Sequence, residues 1–390
     1  MTSGPSPAAP PRTAPCWDAE VLRDPAAFDR LAAEWDALLD HCAPATPFQS
    51  HAWLSSWWQS YGRPGRLRLV TVRRDGRLVA VAPLMLRHRL LPVLVPVGAG
   101  LTDFLDVLLD DEHADEAGAF LARALDRELG LARPWSVLDL RELRQDAAAR
   151  QLADHWRGAA RTLPDSVCQH LPGVPVEELL TRLPGRTAQR TRVKLRKLAA
   201  AGVETRQVPP AEVPEAIGEL MVLHELQWRG RGATPEHLRE RFAQHLRRAA
   251  GRMSLADRAG VREYRLDGRL IASDLTLQGP DLAAIYFYGV HPDVREQLDI
   301  AGMLFRESLA HAAGTGRSEL SLLRGDEPYK QRWRPEQARN QRLLLGGGPA
   351  VALYAGAARL RRSVLRRLRT SAPWLAAVRA RLRTLRAPRG

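Results

Sequence analysis

Lysine is almost absent from this 390-residue chain: Lys194, Lys197 and Lys330 are its only three, against an abundance of arginine. Such a bias reads as genome composition, so arginine content alone does not specify phosphate binding. Cysteine is just as scarce. Cys16, Cys42 and Cys168 stand far apart with no CxxC pair, which excludes a disulfide framework and a zinc-ligand set, and makes a reducing cytosol the expected compartment. No stretch reaches the ~20 apolar residues that span a bilayer. The most apolar segment, Leu90 to Leu101, is interrupted by Pro92 and Pro96. Neither a GxGxxG nor a Walker motif is present. Met1 to Pro15 has no basic stretch followed by an apolar core, so it reads as a disordered lead-in rather than a signal peptide. Acid is missing from the end of the chain: Gln337 to Gly390 holds thirteen arginines and no Asp or Glu. The rest is nearly neutral, so the net charge of +14 belongs to the tail.

What is present is a repeat. Asp75-Gly76-Arg77-Leu78-Val79-Ala80 recurs as Asp267-Gly268-Arg269-Leu270-Ile271-Ala272, each copy set in alternating apolar residues, and each Asp-Gly reads as a hairpin turn. Each hairpin is followed by a strand, a helix and another strand. In the first unit these are Phe104 to Leu109, Ala114 to Leu129 and Ser136 to Leu140; in the second, Ala283 to Val290, Ile300 to Ala313 and Glu319 to Leu323. Helices with three-to-four apolar spacing precede both hairpins, through Phe28, Leu31, Trp35 and Leu38, and through Ile217, Leu220, His224 and Trp228. A Pro- and Gly-punctuated junction is expected at Pro164 to Pro175. The organisation is a lead-in over 1–16, α/β units over 17–165 and 166–348, and an amphipathic Arg-rich helical tail over 349–390, broken by Pro373 into two helices.

This order of elements, with Gly100-Leu101-Thr102-Asp103-Phe104, the basic segment Arg190 to Lys197, His224 with Trp228-Arg229-Gly230, and Leu323-Arg324-Gly325-Asp326-Glu327-Pro328-Tyr329-Lys330, resembles the GNAT N-acyltransferases. The likeness is to their tandem branch of FemAB-like and CelD-like proteins, and it covers Trp17 to Leu345. The last motif is the most specific, since Arg-Gly-Asp-x-x-Tyr-Lys after the fifth strand typifies the branch. Where such proteins often carry Ser-Pro-Gly at the start of a helix, this chain has Ile300-Ala301-Gly302. The resemblance implies two GNAT-like domains, each a mixed, mostly antiparallel sheet flanked by helices, with chemistry in the second and a degenerate first that walls the substrate cleft. It implies acetyl-CoA or another acyl-CoA as co-substrate, no metal, and an amine acceptor on a small molecule, an amino sugar or an envelope or polysaccharide precursor.

Site residues follow from that chemistry. Backbone donors and a helix N-terminus suit an acyl oxygen and a pyrophosphate. The matching residues are Tyr288 and Val290 at a strand end, Asp299 as N-cap, Gly302 in the first turn, and Lys330. Tyr329 is the candidate acid for the leaving thiolate, and Asp326 accepts a proton or anchors the amine; an ion-pair network of Arg324, Asp326 and Lys330 is the structural alternative. His224 is either a base or a packed core histidine, and Asp274 either a second base or a residue on a solvent face. Asp103, Trp228, Arg229, Tyr286 and Arg324 complete the acceptor side. Arg190 to Lys197 is either a solvated helix face or a phosphate site. The tail lies on anionic membrane, grips a polyanion such as tRNA, or packs on the body. Aminoacyl-tRNA-dependent peptidyl transfer and a noncatalytic scaffold are the rival functions.

Overall fold

The computed structural model describes residues 14–88, 92–229, 234–295, 297–325 and 327–371. In the first unit β1 (Trp17–Leu22), α1 (Ala27–Asp40) and α2 (His51–Tyr61) precede a hairpin of β2 (Leu67–Arg74) and β3 (Arg77–His88). There follow β4 (Val93–Pro96), β5 (Leu108–Leu109), α3 (Ala114–Leu129), β6 (Val137–Leu143) and α4 (Gln151–Asp154). The chain then crosses through β7 (Ala159–Pro172) to α5 (Val176–Thr181), α6 (Gly185–Ala200), β8 (Glu204–Gln207), α7 (Val213–Trp228) and α8 (Glu240–Ser254). A second hairpin of β9 (Ala259–Leu266) and β10 (Arg269–Gln278) leads to β11 (Leu282–Val290), α9 (Ile300–Gly314), β12 (Glu319–Arg324), α10 (Pro328–Gln331), β13 (Glu336–Gly346) and α11 (Gly348–Ser371).

The repeat read from the sequence is structural. In both hairpins the Asp-Gly pair turns through the left-handed region, with φ of 49° and 83° at Asp75 and Gly76 and of 50° and 75° at Asp267 and Gly268. That geometry suits the twist of antiparallel strands. Each hairpin hands on to a parallel pair, β4 with β6 and β11 with β12, joined by α3 and α9. The fourth strand of the first unit is Val93–Pro96, however, and not Phe104 to Leu109, of which only Leu108–Leu109 pairs, with β3. Of the prolines read as interruptions, Pro92 precedes this four-residue strand and Pro96 is its last residue. Phe104 to Val107 instead packs as buried loop.

The units are not beads on a linker. Where a punctuated junction was expected, β7 runs unbroken for 14 residues, through Pro164, so residues 165 and 166 sit inside one strand. The sheet order is β1-β2-β3-β4-β6-β13-β7-β12-β11-β10-β9-β8, with β5 beside β3. β13, at the end of the second unit, pairs with β6 of the first, and β7 lies between β13 and β12. One mixed, mostly antiparallel sheet therefore crosses the whole molecule. Its largest core cluster does the same, joining Trp35, Trp53 and Leu69 to Ile217, Leu246 and Phe287.

Candidate active site

A parallel pair of strands opens a cleft when its ladder stops early. β11 and β12 are paired only from Leu282 to Ala284 and from Glu319 to Ser321. On its other edge β11 carries an extra residue at Tyr286, where the register with β10 shifts between Leu275 and Thr276. Beyond these points β11 and β12 diverge. A cavity of about 590 Å³ lies in the fork, lined by β11, the end of β12, the last turns of α7, the start of α9, α10 and Asp103 of the first unit.

α7 brings His224 to this cavity. Ile217, Leu220 and Leu223 bury its inner face, and contact with β11 is so close that a Cβ on Gly289 would lie 2.6 Å from the His224 backbone nitrogen. The imidazole stacks on Phe287 with centroids 4.1 Å apart, and its Nδ1 lies 2.9 Å from the Tyr288 carbonyl oxygen. A carbonyl only accepts, so Nδ1 carries the proton and Nε2 keeps its lone pair. Burial lowers the His224 pKa, so the ring is neutral at pH 7. His237, 5.5 Å away between centroids, is pushed down to about 4 by burial and by His224.

Tyr329, in α10, faces the same cavity. Tyr288 donates to its hydroxyl over 3.4 Å, and Phe305 packs on its ring. Burial, then the neighbouring Tyr288, raise the Tyr329 pKa far above neutrality, so it holds its proton. Tyr288 thus joins the two groups, its carbonyl to His224 and its hydroxyl to Tyr329.

The acceptor-side residues are held across the seam. Arg324 pairs with Asp103 and, at 3.3 Å, with Glu142, both from the first unit. Asp103 is delivered by the loop that occupies the fork between β4 and β6, anchored where Leu105 donates to the Glu142 carbonyl over 3.1 Å. In the same loop Asp106 accepts from the backbone amides of Val107, Ala148 and Ala149 at 2.8 Å each, which fixes its course. Tyr286 lines the cavity but also packs between Phe48 and Trp53 and donates to the Leu101 carbonyl over 3.2 Å, making it a post between units. Trp228 lies at the mouth of the cavity, one turn from His224.

At the α9 end, Asp299 is the N-cap, accepting from the Gly302 amide at 3.4 Å. The space a phosphate would need over Gly302 is taken: a Cβ there would meet the Asp299 carboxylate at 2.9 Å. Arg332 at 2.9 Å and Lys194 at 3.7 Å pair with that carboxylate, and Arg295 lines the cavity close by. An anion at this end would meet these cations beside the first turn of α9, while Gly302 makes room for the cap. Lys330 is buried and spends its ammonium on the Arg324 carbonyl at 2.8 Å and on Glu327 at 2.9 Å, holding the turn that follows β12.

Two expected residues lie elsewhere. Asp274 is fully buried outside the cavity, bound by Tyr264 at 2.7 Å, Thr276 at 3.1 Å and Arg262 at 3.4 Å. Its face of β10 is covered by α9, so it is neither solvated nor aimed at the fork. Arg229 caps the end of α7 in solvent, 3.9 Å from Glu225. Asp326 lies outside the described residues. His237, Gln227, Arg295 and Glu327 line the cavity and were not singled out from sequence, because they sit in loops and helix ends without periodicity. Among the described residues no His, Cys, Asp and Glu cluster is placed to hold a metal ion.

The family comparison agrees with this geometry. Residues 185–331 match the model of the acetyltransferase (GNAT) domain family. No curated protein matches the sequence. Among solved structures, FemX is similar at 12% identity and a TM-score of 0.57, covering 83% of this chain and 98% of its own. L-PGS from Bacillus licheniformis has 12% identity and a TM-score of 0.51 over 81% of this chain and 92% of its own. The C-terminal domain of an Agrobacterium fabrum protein described as a lysylphosphatidylglycerol synthetase has 12% identity and a TM-score of 0.52 over 85% and 97%. Residues 185–331 therefore form a domain of the acetyltransferase (GNAT) family, and the chain as a whole shares its fold with FemX.

Proposed function

We propose that this protein moves an acyl group from acyl-coenzyme A to the amine of a small molecule, an amino sugar or an envelope precursor. The observation that carries the reading is that one cavity presents a neutral imidazole whose Nε2 keeps its lone pair and a protonated phenol, linked through Tyr288. In that arrangement the acceptor nitrogen attacks the thioester carbonyl and the C–S bond breaks. His224 Nε2 takes the proton lost by the nitrogen, and the Tyr329 hydroxyl protonates the departing thiolate. The products are an amide and a free thiol, and charge balances without a metal. The Asp103–Arg324 pair at the far end is suited to orienting a polar acceptor, and the α9 N-terminus with Arg332, Lys194 and Arg295 to an anionic coenzyme tail. Thiol release from acetyl-coenzyme A with a panel of amines tests the reading. Release that depends on an amine supports it; no release, together with no coenzyme A binding by calorimetry, overturns it.

A second reading, aminoacyl-tRNA as donor, draws on one observation. Arg186, Arg190, Lys194 and Lys197 are exposed along one stripe of α6, and Lys194 reaches the N-cap of α9 beside the cavity. Transfer from aminoacyl-tRNA with no thiol release from any acyl-coenzyme A would favour it.

A further inference from the structure

We propose that the outward face of α11 docks on an anionic lipid surface. α11 begins where β13 ends, and its first turns are fixed to the body. Ala350, Val351 and Ala355 are buried, and the Tyr354 hydroxyl donates to Asp139 over 3.0 Å. The opposite face has no such cover. Leu353 and Leu360 are 68% and 67% exposed and Val364 is 45% exposed. Spacings of seven and four residues align the three within one stripe. Trp135, in the short helical segment Gly130–Trp135 against which α11 packs, is 57% exposed. Val193, Val222, Leu238 and Leu255 are also exposed among the described residues, but each belongs to a different element, whereas Leu353, Leu360 and Val364 share one stripe, and that grouping calls for an occupant.

Charge selects the occupant. Acids end at Glu336, and eleven arginines follow between Arg359 and Gly390, with Arg359 and Arg361 exposed beside the apolar stripe. A second copy would bring eleven like charges against these. A nucleic acid would satisfy the arginines but leave the leucines in water. An anionic bilayer surface takes both, the stripe entering the acyl boundary and the guanidinium groups meeting headgroup phosphates. No helix among the described residues is long and apolar enough to cross the bilayer, so the contact is one of lying on the surface. This inference does not depend on acyl transfer.

Flotation of the full chain with vesicles tests it, comparing phosphatidylglycerol-containing vesicles with pure phosphatidylcholine vesicles. The full chain is expected to float only with the anionic vesicles, and Leu353→Ser/Leu360→Ser to lower partitioning at least about tenfold, given what two leucines gain on leaving water. Thermal melts of the variant check that it is folded. Should it unfold, Leu360→Ser alone, farther from the docked turns, carries the test. Absence of flotation overturns the proposal. Equal flotation of wild type and variant assigns binding to charge alone and overturns the role of the stripe. Concentration-dependent dimerisation lost in the variant would instead seat a second copy there, which also overturns it.

Discussion

At the scale of single residues, the cleft keeps two ordinary groups in their uncharged forms, which is what the proposed transfer requires of them. Burial depresses the His224 pKa below the usual ~6.5, and its Nδ1 bond to Tyr288 fixes the tautomer. A base is active when unprotonated, so the rate is expected to be level near pH 7 and to fall only as pH drops below ~6.5. His224→Asn keeps an N–H donor near the Nδ1 position for the Tyr288 carbonyl but has no basic nitrogen. Its rate should fall by about a hundredfold or more, and the acid limb should disappear from the pH profile. A variant that retains both the rate and the limb would remove His224 from the chemistry. Tyr329→Phe preserves packing on Phe305 and deletes only the proton donor, so kcat should drop by roughly a hundredfold while KM changes little. Unchanged turnover would make the hydroxyl a packing group. These two residues stand out in the sequence because one lies on a regular helical face and the other in a specific motif. Asp274 misled because alternation tells which face of a strand a residue is on, not that α9 covers that face.

Elements rather than side chains set the shape of the cleft, and the contact of α7 with β11 is its tightest point. Gly289 has no room for a methyl group: besides the His224 nitrogen, a Cβ would meet the Leu223 Cβ at 2.7 Å and the Leu220 carbonyl at 2.9 Å. The backbone of a helix cannot yield as a long side chain does, so Gly289→Ala must lift α7 from the sheet. Overpacking of this kind costs about 1–3 kcal/mol. Because the helix carries His224, activity should fall by more than the loss of folded protein explains. Melting temperature and specific activity of the purified variant separate the two effects, and wild-type values of both would show that α7 is not seated as described. Helices and hairpins of this kind were legible in the sequence, since α1, α7 and α9 keep regular apolar spacing and both turns carry Asp-Gly. β4 was not, because a four-residue strand that follows Pro92 and ends on Pro96 shows no periodicity. The bulge at Tyr286 and the early end of the β11–β12 ladder depend on partners far away in the chain, and those partners are what open the cavity.

For the whole molecule, the telling feature is that β7 and β13 exchange places across the middle of the sheet. This leaves a buried cluster at the seam: Arg342 of β13 grips Asp139 of β6 at 2.6 and 2.9 Å, with Arg141 at 3.0 Å and the Tyr354 hydroxyl of α11 at 3.0 Å on the same carboxylate. Asp139 is 0% exposed. Arg342→Leu would strand most of its charge in the interior, and breaking a buried pair in this way costs about 3–5 kcal/mol. If the sheet and core are continuous, that loss cannot be confined to one unit. Urea unfolding followed by tryptophan fluorescence, which reports mainly on the first unit through Trp35, Trp53, Trp57 and Trp58, should then coincide with unfolding followed by far-ultraviolet circular dichroism. Both midpoints should move down together in Arg342→Leu. Two separate transitions, with only one displaced by the substitution, would mean that the halves fold independently and that the first unit is a neighbour of the catalytic cleft rather than part of its wall.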